Sequence, residues 1–336
     1  MNKQEERLIN VTDGLASNPI ERIESFDHID SNLTDDEITM LRQMAFIEGD
    51  WEHTHELPED TMDIGKPYDF SKKQVGDTFV TNIVNRQVPG YKGMRSANVS
   101  LIKQLVLSIY ERNKENGEED KPITIFDSGC SNGATIFDLI SALSHSYGKP
   151  ATPHPAIDCI RYVGIDTSEA MIERANETLE EFKSIFDKIG AHLNGNFEFR
   201  ICDVMDTADE FADLNADISV SVLMTMFIPV HHRTHYFDGL HAATRTGGHL
   251  VVTEKTLAKT SEMNDLLSRL YHIDKFRNGL SLEAIRRKHL SLPRFLHPVQ
   301  SKWTEDWLQG SGFEDRELFW KHYMFESSIS RAIEKR

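Results

Sequence analysis

Cysteine is scarce. Three thiols, Cys130, Cys159 and Cys202, stand among 336 residues, too few and too scattered for a disulfide framework or a paired-cysteine zinc site. Such usage fits a reducing compartment, so a cytoplasmic location is expected. Long apolar runs are also missing. The longest, around residues 220–230, falls far short of the ~20 residues that span a bilayer, and no membrane association is expected. The first ten residues, MNKQEERLIN, lack the apolar core of a secretory leader. Basic charge is short as well: 37 Lys and Arg face 54 Asp and Glu, a formal net charge of −17. A phosphate-backbone binder needs clustered cations, so direct nucleic-acid binding is not expected. The deficit is concentrated, because the first 70 residues hold 18 acids against 5 bases and the remainder is nearly neutral.

What is present divides the chain in two. Residues 1–74 read as an acidic N-terminal extension, with one helical stretch at 34–48 opened by a capping box (Thr34 to Glu37). Residues 75–336 carry a regular alternation, and with 39% hydrophobic residues the chain can bury a core. Helical spacing runs over 96–110, followed by a strand at 123–126 and a helix at 134–144. A strand at 162–165, a helix at 168–186 and strands at 197–201 and 218–226 come next. A helix over 231–243 and a strand at 250–253 complete the alternation. Strands alternating with helices predict an α/β fold built on a mostly parallel sheet. Two β-compatible runs at 317–324 and 327–332 predict an antiparallel pair at its edge.

The densest chemistry lies at strand ends. In Asp127-Ser128-Gly129-Cys130-Ser131-Asn132-Gly133-Ala134 a strand turns sharply into a helix through small residues, which brings backbone N–H groups close to a ligand. No Gly-Lys-Ser/Thr follows, so this is not a P-loop. Asp166 ends the next strand, where a carboxylate can hold both ribose hydroxyls; capping the following helix is the alternative role. Asp203, followed by Val204, ends the third strand within reach of an adenine. These acids share one crevice at the carboxyl edge of the sheet. His231 and His235 lie one helical turn apart, but no further ligand completes a metal set, and a solvated face is expected. Arg286-Arg287-Lys288-His289 is either an anion site or an exposed helix face. Cys130, at a helix N-terminus, is expected to have a lowered pKa.

The strand-end constellation resembles the class I S-adenosylmethionine (SAM)-dependent methyltransferase fold, a seven-stranded sheet with an antiparallel C-terminal hairpin. Narrower likenesses point to its carboxy-S-adenosyl-L-methionine (carboxy-SAM) synthases. Arg86-Gln87-Val88-Pro89-Gly90-Tyr91 is similar to that family's R-S-V-P-G-Y, and the loop Asp127 to Ala134 to its D-x-G-C-S-x-G-A. Ile165-Asp166-Thr167-Ser168-Glu169-Ala170-Met171-Ile172-Glu173-Arg174 resembles I-D-N-S-x-A-M-I-E-R; Glu254-Lys255, Asn278-Gly279-Leu280-Ser281 and Glu317-Leu318-Phe319-Trp320 echo further segments. The likeness covers about residues 76–332 and leaves the acidic head out.

The resemblance implies SAM or carboxy-SAM as ligand, with prephenate as the small-molecule partner. Prephenate loses its ring carboxyl as CO₂, which the deprotonated SAM methyl captures, in a route to tRNA wobble-uridine modification. It assigns the glycine loop (Asp127, Gly129, Cys130, Ser131) to the methionine part, with Cys130 acting through its backbone. Asp166 and Thr167 go to ribose, Asp203 and Val204 to adenine, and Tyr91 to the carboxy-sulfonium end. Arg86 is the second expected anion contact, unless it pairs with an acid of the head. The family arginine before N-G-Y-S falls at Phe276 in a gapless alignment, and a one-residue shift assigns it to Arg277. Val222 stands where the family has an asparagine, and Thr167 replaces another. A homodimer is expected. The alternatives are ordinary methyl transfer to a small molecule and a catalytically silent SAM-binding partner protein.

Overall fold

In a computed structural model, the structure describes residues 87–144, 153–278, 280, 282–292 and 295–334. The acidic extension, its 34–48 helix, the 74/75 boundary and Arg86 lie outside the described residues. The elements are α1 (Tyr91–Glu115), β1 (Ile123–Ser128), α2 (Ala134–Ser144), β2 (Ile160–Asp166), α3 (Glu169–Lys188), β3 (Asn196–Ile201), α4 (Thr207–Phe211), β4 (Ala216–Val222) and α5 (Arg233–Ala243). There follow β5 (Thr244–Leu257), α6 (Ser261–Arg277), α7 (Leu282–Ser291), β6 (Val299–Gln300), α8 (Ser301–Ser311), β7 (Phe313–His322) and β8 (Phe325–Ala332).

The sheet order is β3-β2-β1-β4-β5-β8-β7, with the two-residue β6 beside β5. Strands β1 to β5 are mutually parallel, whereas β8 runs antiparallel to both β5 and β7. This is the expected arrangement, an α/β sheet closed by an antiparallel hairpin. Every residue of β1 is buried, because the sheet is covered on both faces. Alternate residues feed two cores. Ile123 and Ile125 pack with α1, α2 and α3 through Ile102, Ile140 and Leu179. Phe126 packs with α4, α5 and α8 through Phe211, Phe237 and Leu308.

Some boundaries differ from the sequence reading. The apolar run 218–226 does not continue as a strand: β4 ends at Val222, Leu223 takes φ 57, and Thr225–Phe227 forms a 3-10 turn. Hydrophobicity persists there because the segment packs inward rather than along the sheet. Helix α1 starts at Tyr91, earlier than expected, since Gly90 at φ 79 provides the bend that launches it. The hairpin turns at Tyr323, in the left-handed region at φ 49.

Candidate functional site

Strand order places β1 next to β4, with β2 on the other side of β1, so the chain reverses its winding direction at β1. Ligands in open α/β sheets lie outside the carboxyl ends of the strands at such a point. Two adjoining cavities sit there, of about 320 Å³ and 290 Å³. Gly129, Asp166, Thr167, Met224 and Phe227 line both.

The glycine loop is tied down on its strand side. The N–H groups of Gly129 and Cys130 both donate to the Ile165 carbonyl, at 2.9 and 2.8 Å. Gly129 has φ 83, and a Cβ there would lie 2.9 Å from Met224 Cγ and Sδ. Only glycine suits that backbone and that closeness. Ser131 is also left-handed, at φ 51, and its N–H donates to Asp166 Oδ2 at 3.0 Å. Asp166 Oδ1 accepts from the Ser168 N–H at 2.9 Å. Capping of α3 falls to Ser168, whose Oγ accepts from the Met171 N–H. Asp166 thus braces both loops while facing both cavities. Burial raises its pKa, partly opposed by the backbone N–H groups it accepts.

Asp127 is fully enclosed at the end of β1 and accepts from the Tyr162 hydroxyl at 2.9 Å. Burial pushes its carboxyl up to about 7. The Cys130 thiol is also buried and raised well above its ordinary value, by burial and then by Asp127 and Asp166. This corrects the sequence expectation, since desolvation outweighs the helix dipole here. Asp203 caps a 3-10 turn, its Oδ1 accepting from Met205 N–H at 2.9 Å, and lines the smaller cavity with Val204.

The larger cavity brings together Tyr91, Asp127, Gly129, Cys130, Ser131, Asp166, Thr167 and Val222. Arg277 is not among its lining residues. It ends α6 with its side chain half exposed and pairs with Asp274 at 3.4 Å. His231, His232 and His235 are exposed. Sequence reasoning passed over Asn132, Leu223, Met224 and Phe227. Asn132 Oδ1 is buried in the cavity wall with no donor among the described residues. Met224 closes over Gly129 only because β4 stops at Val222, and no sequence signal marks that stop.

The donor set fits SAM. Asp166 lines both cavities, Asp127 the larger and Asp203 the smaller, Asn132 contributes a buried amide oxygen without a donor among the described residues, and the lining includes neither Lys nor Arg. That suits a sulfonium ligand carrying no phosphate. A methyltransferase-domain family model matches residues 119–302, more than half of the chain. The chain belongs to the methyltransferase-domain family. It is a SAM-utilising enzyme, with SAM or carboxy-SAM as its ligand. Among curated relatives, the carboxy-SAM synthase of Hahella chejuensis is 26% identical over 250 residues, covering 74% of this chain and 88% of its own. The synthase of Helicobacter hepaticus is 25% identical, covering 80% and 96%. These relatives bear out the resemblance to carboxy-SAM synthases. Solved structures similar to the chain include the DszA carbon methyltransferase (13% identity, 70% and 53% covered, TM-score 0.46). Another is the magnesium protoporphyrin IX methyltransferase of Synechocystis PCC 6803 (16%, 78% and 99%, TM-score 0.40). Among the described residues no helix is long and apolar enough to cross a membrane.

Proposed function

We propose that this methyltransferase-family enzyme is a carboxy-SAM synthase, converting SAM and prephenate to carboxy-SAM, phenylpyruvate and water, the ring hydroxyl of prephenate leaving with the proton lost by the SAM methyl. The observation that carries the SAM part of the reading is the cavity at the β1, β2 and β4 ends, lined by Asp127 and Asp166 and by neither Lys nor Arg; what supports the carboxylation part is the similarity to carboxy-SAM synthases. The cavity is walled on one side by the apolar segment from Val222 to Phe227. When bound, SAM supplies the methyl carbon that accepts CO₂. Asp166 holds the ribose hydroxyls, Asp203 and Val204 flank the adenine, and Gly129 to Ser131 take the methionine part. Asn132 Oδ1 accepts from the ligand's ammonium. Met224 and Phe227 exclude water, which would otherwise quench a carbanion by protonation. Tyr91, half-buried at the start of α1, faces the reacting end. Ordinary methyl transfer draws support from the family model alone; the relatives' shared name favours carboxylation. The reading carries with it a cytoplasmic homodimer supplying tRNA modification.

The test is mass spectrometry of ligand released from purified, denatured protein, repeated after incubation with SAM and prephenate. A species heavier than SAM by the mass of CO₂ is expected. Recovery of only SAM or S-adenosylhomocysteine after that incubation refutes carboxylation.

A further inference from the structure

Two segments far apart in sequence line the smaller cavity, Asp203 to Met205 and Phe227 to Pro229. A third contribution is His232, the last residue of the 3-10 turn Val230–His232 that leads into α5. Its N–H donates to the Pro229 carbonyl at 2.9 Å, and its ring centroid lies 4.0 Å from that of His231. One exposed imidazole is thus backed by another where it borders the cavity. Among the described residues no group of three His, Cys, Asp or Glu side chains is placed to hold a metal, so chelation does not explain the pair.

The start of α5 also ties down the other two segments. His235 Nε2 donates to the Met205 carbonyl at 3.0 Å; a carbonyl only accepts, so this nitrogen carries the proton. Arg233 is fully buried. Its Nε donates to the Ile228 carbonyl at 3.0 Å and its Nη2 to the His297 carbonyl. The His297 N–H in turn donates to the Met226 carbonyl at 2.8 Å. The Arg233 guanidinium carbon lies 5.3 Å from the Trp307 ring centroid, and Nη1 has no hydrogen-bond partner among the described residues. Burial lowers the Arg233 pKa, and Glu254 only partly opposes it. Burying a cation on such terms is costly. What a guanidinium gives here, and an apolar side chain does not, is a rigid fork that reaches the carbonyls of two segments at once.

We infer that His232 stacks on the adenine of the bound ligand, and that Arg233 and His235 are positioning residues that hold the segments forming the rest of the adenine slot. The inference rests on the assignment of the smaller cavity to adenine, and holds equally for carboxylation and for methyl transfer. Successive residues of a helix point about 100° apart. One turn can therefore send Arg233 into the core behind Ile228, turn His235 to Met205 and leave the His232 ring at the cavity rim. A ring face suits this task because every base has a π-face to receive it.

Calorimetry of the full chain with S-adenosylhomocysteine and with 5′-methylthioadenosine, which keeps adenine and ribose but lacks the amino-acid part, tests the assignment. His232→Ala should weaken both ligands by the same factor, at least about fivefold, the lower end of base–aromatic stacking. His232→Phe, which keeps the ring and loses its nitrogens, should stay within about twofold of wild type for both. Arg233→Lys, and His235→Ala as an exposed second variant, should also weaken both ligands equally. A variant that merely folds less well lowers the titrated stoichiometry and leaves Kd in place. Unchanged affinities in His232→Ala, a loss confined to S-adenosylhomocysteine, or a His232→Phe variant as weak as His232→Ala overturns the stacking contact. So does a wild-type protein that binds S-adenosylhomocysteine but not 5′-methylthioadenosine, because the base then contributes too little. Wild-type Kd in both Arg233→Lys and His235→Ala overturns the positioning roles. A wild-type protein that binds neither ligand instead refutes the reading of the cavities on which the inference rests.

Discussion

Replacing Asp166 by Ala separates the two jobs this carboxylate is placed to do. Its first job is structural. Oδ1 and Oδ2 accept the N–H groups of Ser168 and Ser131 at 2.9 and 3.0 Å, and the second bond holds Ser131 in the left-handed region. Leaving a half-buried N–H unpaired costs about 1–3 kcal/mol. Thermal unfolding of the unliganded variant should drop accordingly, by roughly 2–4 °C per kcal/mol for a domain of this size. Its second job is binding. Losing charge-assisted bonds to ribose should cost about 2–4 kcal/mol, roughly 30- to 1,000-fold in Kd. Calorimetry with SAM measures that directly, at a temperature well below unfolding of the variant. Because burial raises the Asp166 pKa, wild-type affinity should also weaken as pH falls and the carboxyl gains its proton, and the variant should lose that dependence. A variant that melts early yet binds SAM within threefold of wild type would show that Asp166 only braces the loops, and would refute its ligand role.

Gly129→Ala places a methyl 2.9 Å from Met224 and costs about 1–2 kcal/mol for the left-handed backbone; SAM affinity should fall more than tenfold while far-ultraviolet circular dichroism stays native. Asp127 is raised to about 7 from roughly 3.9 in the unfolded chain, so between those values the folded state holds a proton the unfolded state lacks. Stability should fall with rising pH by about 1.4 kcal/mol per unit over that window, relative to Asp127→Asn, and level off above about 7 after roughly 4 kcal/mol in all. A wild-type-minus-variant urea stability difference that is flat from pH 5 to 8 refutes the buried-carboxyl reading.

Much of the fold was legible because two signals agreed. Period-2 or continuous apolar runs marked the strands, and small residues with an acid marked each strand end, so β1, β2 and β3 and their crevice followed from pattern alone. The signals failed where tertiary packing overrode them. Residues 223–226 are as apolar as β4, yet the positive φ of Leu223 ends the strand and swings Met224 over Gly129. Helices α6 and α8 escaped notice because charged residues interrupt their apolar positions; of the 17 residues of α6 the fully buried ones are Tyr271, His272 and Lys275. Cys130 looked activated by its helix terminus, but that effect is small beside full burial between two carboxylates.

The expectation for Arg277 shows the same limit most sharply. Alignment by motif assigns the anion-binding cation to Arg277, since it sits next to Asn278-Gly279. A helix rotates about 100° per residue, so residue 277 points roughly 200° away from residue 275. Lys275 and Tyr271, four apart, share one face, and that is the face buried against the cavity wall. Arg277 is left half exposed at the helix end, beside Asp274. Other cations are drawn into the fold instead: Lys275 is buried and Lys255 and Lys288 are half-buried, distributed over a strand and two helices. Lysine at those places reads as solvent-facing in any one-dimensional pattern, because burying it is normally too costly. Only the convergence of Lys255 from β5 and Lys275 from α6 on the Tyr271 ring shows that the cost has been accepted, the ring face offsetting part of it.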